Sequence, residues 1–256
     1  MIRYLALVTC LLTSSSLAQT NQEKGLKIVT ENKAFNDGFG GESSEMTMVL
    51  INAHGDQTVR KMTSVSTEVK GDGDRSRIEF IQPADVKGTR MLTWSHGTKN
   101  DDQWLYLPSL KRVKRISSRS KSGSFMGSEF AYEDLGSQEL EKYTYTYLKD
   151  EAIDGRPHWV IEQIPTDKKS GYSKQVSWID QGYRQPSKVD FYDRKGAHLK
   201  TFTFTGYTQF GKWWRAGKIA AINHQTQKRS TLTWDGRKLG QTADPDVFTK
   251  DGLKDF

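Results

Sequence analysis

Cysteine is all but absent from these 256 residues: the single one, Cys10, falls in a short apolar run near the start. Everything after that run is therefore without disulfides, thiol catalysis or cysteine-held metal. No later stretch approaches the ~18 consecutive apolar residues of a membrane span. Catalytic motifs are missing as well. The string Gly123-Ser124-Phe125-Met126-Gly127 lacks the Gly-x-Ser-x-Gly spacing of a hydrolase elbow, and no His-Glu-x-x-His occurs. His54, His96, His158, His198 and His224 are scattered without paired spacing, which predicts surface or half-buried side chains and not metal ligands. Asp72 and Asp74 begin like a calcium loop but lack its later acids, so a hairpin turn is expected there. Gly38, Gly40 and Gly41 follow no strand pattern and form no phosphate cradle. The expectation is a protein that is no enzyme and that holds neither cofactor nor metal.

The first eighteen residues read as an export signal. Arg3 gives a positive start, residues 5–12 are apolar, and Ser16-Leu17-Ala18 before Gln19 has the small-x-small form of a cleavage site. One domain over residues 19–256 is the expected exported product, located in the periplasm. A lipid-attachment box at Leu7-Val8-Thr9-Cys10 is the alternative reading.

What is abundant is aromatic and basic. Seven Trp, ten Tyr and eleven Phe need burial, in a chain that is 27% charged with a mean hydropathy of −0.72. Without Arg3, 37 basic residues face 31 acidic ones. Lys111, Arg112, Lys114, Arg115, Arg119 and Lys121 follow one another with no acid between them and account for that whole excess. A localised anionic contact is one meaning of such a run; protection of an exposed strand edge is the other.

Periodicity divides the rest. Leu26, Ile28, Val29 and Phe35 predict a helix over 23–35, closed by the glycines after it. From about Ser44 the period becomes two, as in Met46/Met48/Leu50, Leu92/Trp94, Trp104/Tyr106, Val189/Phe191, Phe202/Phe204 and Leu232/Trp234. Ten or more antiparallel strands are implied, with turns at Gly71 to Asp74, Asp154-Gly155, Lys195-Gly196 and Asp235-Gly236. Residues 117–135 break the pattern: a serine-rich start, then Phe125, Met126, Phe130, Tyr132 and Leu135, predict a short helix or lid. Asp244 and Pro245 predict a last short helix that docks the C-terminus through Val247, Phe248 and Leu253. A sheet of so many strands must curl or close, which leaves a curved half-barrel with a helical plug or a closed barrel around a cavity.

The segment from Trp104 to Leu135, with Val86 to Trp94, Met46 to Leu50, Phe191 to Gly196 and Phe248 to Leu253, resembles the periplasmic LolA-like family of outer membrane lipoprotein-sorting proteins. That resemblance spans the chain after its leader. It implies a mainly β fold, a strongly curved antiparallel half-barrel whose concave apolar face is covered by short helices, with no catalytic residues. It also implies a lipid or acylated protein as cargo, with an inner-membrane exporter of the resistance-nodulation-division type as a possible partner.

On this reading Met46, Met48, Met91, Trp94, Trp104, Tyr106, Phe125, Met126 and Phe130 are the candidate cavity and lid residues. The six basic residues from Lys111 to Lys121 are the candidate docking surface for an anionic membrane. The competing reading is a non-carrier accessory or sensor module with a filled core, docking through the same segment. Nucleic acid is not expected as a partner of an exported protein.

Overall fold

The computed structural model describes residues 19–254; the expected export signal at 1–18 lies outside them. The first element, α1 (Asn21–Asn36), opens with a capping box: Thr20 Oγ1 accepts from Glu23 N at 3.2 Å, and Thr20 N donates to Glu23 Oε2 at 2.9 Å. It ends at Asp37, where the glycines begin.

Fifteen strands follow: β1 (Gly41–Ile51), β2 (Gln57–Thr67), β3 (Arg75–Gln82), β4 (Arg90–Trp94), β5 (Asp102–Leu107), β6 (Arg112–Ile116), β7 (Tyr143–Ile153), β8 (Arg156–Pro165), β9 (Tyr172–Asp180), β10 (Gln185–Asp193), β11 (His198–Thr205), β12 (Thr208–Phe210), β13 (Trp213–Arg215), β14 (Lys218–Asn223) and β15 (Arg229–Leu239). Thirteen of them form one antiparallel sheet in the order β6-β5-β4-β3-β2-β1-β15-β14-β11-β10-β9-β8-β7. Its edges, β6 and β7, do not pair, so the sheet is an open half-barrel and not a closed barrel. The short β12–β13 hairpin stands apart from it.

Turn chemistry explains most of the meander. Asp154 and Gly155 both have positive φ, at 49° and 75°, as the tight turn between β7 and β8 demands. Asp235-Gly236 is not the turn expected. It lies within β15, where the pairing with β1 slips between Ser43 and Glu45, and Gly236 at φ 58° carries a β-bulge.

Residues 117–135 contain no α-helix. They form two three-ten turns, Phe125–Gly127 and Tyr132–Leu135, closed by a β-bridge between Ser124 and Ala131. The C-terminal three-ten turn Pro245–Phe248 forms as expected, with Asp244 Oδ1 accepting from Asp246 N at 3.0 Å. Only α1 is an α-helix among the described residues.

Two of the histidines are not at the surface. His96 and His158 are 7% and 1% exposed. His158 Nδ1 meets the Arg156 carbonyl at 2.7 Å, while Ser187 Oγ at 2.7 Å and Asp180 Oδ2 at 3.7 Å both approach the other nitrogen. A catalytic triad needs its serine and its acid on opposite ring nitrogens, so this arrangement is a satisfied core histidine.

Candidate functional site: a roofed trough on the concave face

Alternate residues of the central strands face one way. Met46 and Met48 of β1, Met62 of β2, Ile78 of β3, Phe202 of β11 and Leu232 of β15 are buried together in the main apolar cluster. Direct register pairs such as Met46 with Met62 and Met46 with Trp234 put neighbours of one row on the same face. A cavity of about 1000 Å³ lies over this floor, at the top of the usual range for ligand sites.

Two elements roof it. One is the plug formed by residues 117–136, which drives Phe125 and Phe130 into the trough. Phe125 lies 5.8 Å from the Phe80 ring, and Phe130 lies 5.1 Å from that of Phe202. The plug is pinned by polar bonds in a dry place. Lys200 Nζ meets Asp134 Oδ2 at 2.6 Å, with side chains 4% and 6% exposed. Tyr172 Oη donates to Asp134 Oδ1 at 2.7 Å, and Lys200 Nζ also donates to the Glu129 carbonyl at 2.9 Å. Burial first, then the Asp134 and Glu133 charges, hold the Tyr172 hydroxyl well above its ordinary pKa. Asn223 Nδ2 donates to Glu129 Oε2, and Gly171 N and Ser170 Oγ donate to Glu133, at 2.7 to 2.8 Å. The segment expected as a short helix or lid is thus packed into the core and tied down by buried polar bonds.

The other roof is α1. Ile28 and Val29 pack on Tyr145, Ile161 and Ile179, while Val29, Asn32, Lys33 and Asn36 line the cavity. Close approach depends on Gly25, where a Cβ would stand 2.7 Å from Tyr147 N. The far end of the helix is tied by Asn36 Nδ2 to the Arg184 carbonyl at 2.9 Å and by Lys33 Nζ to Glu139 at 3.4 Å. Beside Glu139, the Asp74 carboxyl is pushed up to about 7 by burial and by the charges of Glu139 and Glu68. Burial also raises Glu133.

The candidate residues separate under this geometry. Met46, Met48, Phe125 and Phe130 line the cavity. Met91 is buried deeper in the same apolar cluster, and Met126 is half-buried against it with its carbonyl accepting from Arg60. Trp94, Trp104 and Tyr106 do not line it. They belong to the outer face, in a cluster with Leu92, Phe248 and Leu253. There the C-terminal segment covers them: Trp94 Nε1 donates to the Phe248 carbonyl at 2.7 Å, and Arg90 Nη1 to that of Leu253 at 2.9 Å.

The basic run separates too. Lys111, Arg112, Lys114, Arg115 and Arg119 are exposed along or beyond the edge strand β6. Arg115 pairs with Asp102, and Lys121 turns to the cavity wall, where it pairs with Asp167 at 2.7 Å. Leu110, 60% exposed, stands at the turn just before this run.

Several lining residues were not among the sequence candidates. Val189, Phe191, Phe202, Phe204, Leu232 and Trp234 carry the period-two signal, but nothing in it marks the cavity face. Gln163 and Gln175 were invisible, because a buried glutamine on an inward position has no sequence signature. Among the described residues no group of His, Cys, Asp and Glu is arranged to hold a metal.

Comparison with known proteins agrees with this architecture. A family profile described only as an uncharacterized protein matches residues 72–255. An outer membrane lipoprotein-sorting protein domain from Vibrio parahaemolyticus is 53% identical, with a TM-score of 0.90 over 92% of this chain and 100% of that one. A DUF1329 family protein from Desulfovibrio piger is 26% identical, with a TM-score of 0.87 over 91% and 99% of the two chains. A LolA superfamily protein from Nitrosomonas europaea, 20% identical, shares the fold at a TM-score of 0.71 over 89% and 98%. A search of curated proteins gives no match. With a profile over most of its length and a relative more than half identical, the chain belongs to the DUF1329 family of outer membrane lipoprotein-sorting type, built on the LolA-like half-barrel.

Proposed function

We propose that this protein is a periplasmic carrier that shields the acyl chains of a lipid or lipoprotein, without catalysis. The observation that carries the reading is the cavity of about 1000 Å³ between α1 and the plug, floored by methionine, isoleucine and phenylalanine side chains. Its driving force is partition. At about 0.8 kcal/mol per buried CH₂, a C16 chain gains on the order of 10 kcal/mol, which exceeds ordinary ordering costs. Met46, Met48 and Met62 suit chains of varied shape because the thioether has no fixed conformation. The name of the Vibrio relative supports a lipoprotein as the acylated cargo.

Loading and release then take place at a membrane. Lys111, Arg112, Lys114 and Arg115 with the exposed Leu110 form the side that meets anionic head groups, each basic residue near the surface adding ~1 kcal/mol. An inner-membrane exporter of the resistance-nodulation-division type is the partner that the family resemblance implies.

Uptake of a fluorescent acyl probe tests the carrier role. The substitution Ile219→Asp places a carboxylate in the cavity wall, whereas Ile222→Asp, on the same strand at a position 42% exposed, is the control. A carboxylate in an apolar site costs several kcal/mol or stays protonated, so the first variant loses the probe and the second keeps it. Equal binding by both folded variants and the wild type contradicts the carrier reading.

A further inference from the structure

The antiparallel order of the sheet sends alternate turns to opposite rims of the half-barrel. One rim gathers the turns at 52–56, 83–89, 108–111, 166–171, 194–197 and 224–228. All but the first carry cations. They are Lys87, Lys111, the pair Lys168 and Lys169, the pair Arg194 and Lys195, and Lys228, every one of them exposed. Arg112, exposed at the start of β6, stands at the same end.

None of these cations is in an ion pair among the described residues. Arg194 instead donates to two backbone carbonyls of the neighbouring turn, from Nε to Ser170 and from Nη2 to Lys169, both at 2.8 Å. Those bonds hold the two turns side by side. The acids of this rim are Asp56, Asp85, Asp167 and Asp193, and three of them are engaged. Asp56 accepts from Asn52 Nδ2 at 2.8 Å, Asp167 pairs with Lys121 at 2.7 Å, and Asp193 accepts from Gln225 Nε2 at 2.9 Å. The opposite rim mixes its signs. Its 68–74 turn holds Glu68, Asp72 and Asp74 against Lys70, and Asp37 and Asp154 share that end with Lys99, Arg184 and Lys212.

The basic run of β6 is divided by the same geometry. Lys111 and Arg112 lie at the cationic rim, whereas Arg115 is near the far end of the strand, paired with Asp102, and Arg119 lies beyond it. At ~3.3 Å per residue the two ends of the 11-residue β1 are ~35 Å apart, several times the ~8 Å Debye length at physiological salt. Cations at one rim therefore act together on a charged surface, and those at the other do not reach it. Leu110 is 60% exposed in one of the cationic turns, and the cavity wall comes to this rim at Thr166 and Asp167.

We propose that the protein meets anionic lipid head groups end-on through this rim, with Lys168, Lys169, Arg194, Lys195 and Lys228 joining Lys111 and Arg112 in the docking surface. This rests on the membrane-docking reading above and enlarges it from one strand edge to one end of the half-barrel. Exposed cations spread over turns of separate elements match a plane of head groups, where each adds its own attraction.

Co-sedimentation of protein purified from the periplasm with vesicles of phosphatidylglycerol and phosphatidylcholine, at 0.1 M salt, tests the proposal. Joint replacement of Lys168, Lys169 and Lys195 by serine leaves Arg194 to hold its turn and is expected to lower partition about tenfold. The matched control at the other rim, Lys70, Lys99 and Lys218 to serine, should change it less than about twofold. Within the run, Lys111→Ser with Arg112→Ser should lose more than Arg115→Ser with Arg119→Ser. Circular dichroism and urea midpoints of the folded variants should match wild type. Equal partition of the two triple variants, while replacement of Lys111, Arg112, Lys114 and Arg115 abolishes attachment, overturns the inference and leaves docking to the β6 edge. Wild type that ignores phosphatidylglycerol removes the docking reading itself, and this inference with it.

Discussion

The cavity has two roofs, and they are held down by different means. The plug is fastened by a buried ion pair, Lys200 with Asp134, and by Tyr172, Asn223, Ser170 and Gly171 around it. Helix α1 rests on a small apolar patch, one glycine contact and a few half-exposed polar bonds at its far end. Local opening favours elements with few buried contacts and exposed bonds. On that ground α1 is expected to open before the plug, although residues 117–135 are the segment that the sequence predicts as a short helix or lid.

The largest effect should come from the plug. Asp134→Ala strands the buried Lys200 ammonium and is expected to cost ~3–5 kcal/mol in urea unfolding. The pair Asp134→Leu with Lys200→Met should recover most of that loss, because no charge is left behind. Next comes the helix. Gly25→Val forces α1 off the Tyr147 backbone at a cost of ~1–3 kcal/mol, and hydrogen exchange should show α1 unprotected while the plug keeps its protection. Loss of plug protection in that variant would erase the distinction between the two roofs.

A smaller effect lies where the roofs meet. The Asp74 carboxyl is raised from 3.8 to about 7 by burial and by Glu139, Glu68 and Asp37, with Lys33 opposing. The folded state therefore holds this proton more tightly than the unfolded chain, and stability falls as pH rises from about 4 through 7. Asp74→Asn should flatten that slope and gain ~1–2 kcal/mol at pH 8 relative to wild type, the full shift being reduced by water in the cavity. The smallest effect on stability, within ~0.5 kcal/mol, is expected for joint replacement of Lys111, Arg112, Lys114 and Arg115 by serine. Sedimentation with anionic liposomes should nevertheless drop, and should drop for wild type between 0.1 M and 1 M salt as the Debye length falls from about 10 to ~3 Å. Attachment insensitive to both leaves these residues as protection of the β6 edge.

The sheet was legible because its central strands are covered on one face, so Met46/Met48 and Phe202/Phe204 alternate as a half-buried strand should. The choice of face was not. In β4 and β5 nearly every residue is buried, since the C-terminal segment seals the outer side. There Leu92, Trp94, Trp104 and Tyr106 form the more apolar parity yet point away from the cavity, while Met91 and Gln103 point toward the concave face. Nothing local signals a cover supplied by Phe248 and Leu253, about 150 residues later in the chain. The Asp235-Gly236 pair failed for a related reason: its composition suits a turn or a bulge equally, and pairing with β1 decides between them.

Native mass spectrometry of the protein purified from the periplasm tests the carrier role most directly. The expected spectrum shows a fraction carrying one extra mass in the range of a single- or multi-chain amphiphile, lost under collisional activation and absent from Ile219→Asp. A protein that flies only at its apo mass, from cells and after incubation with acyl ligands alike, would contradict it.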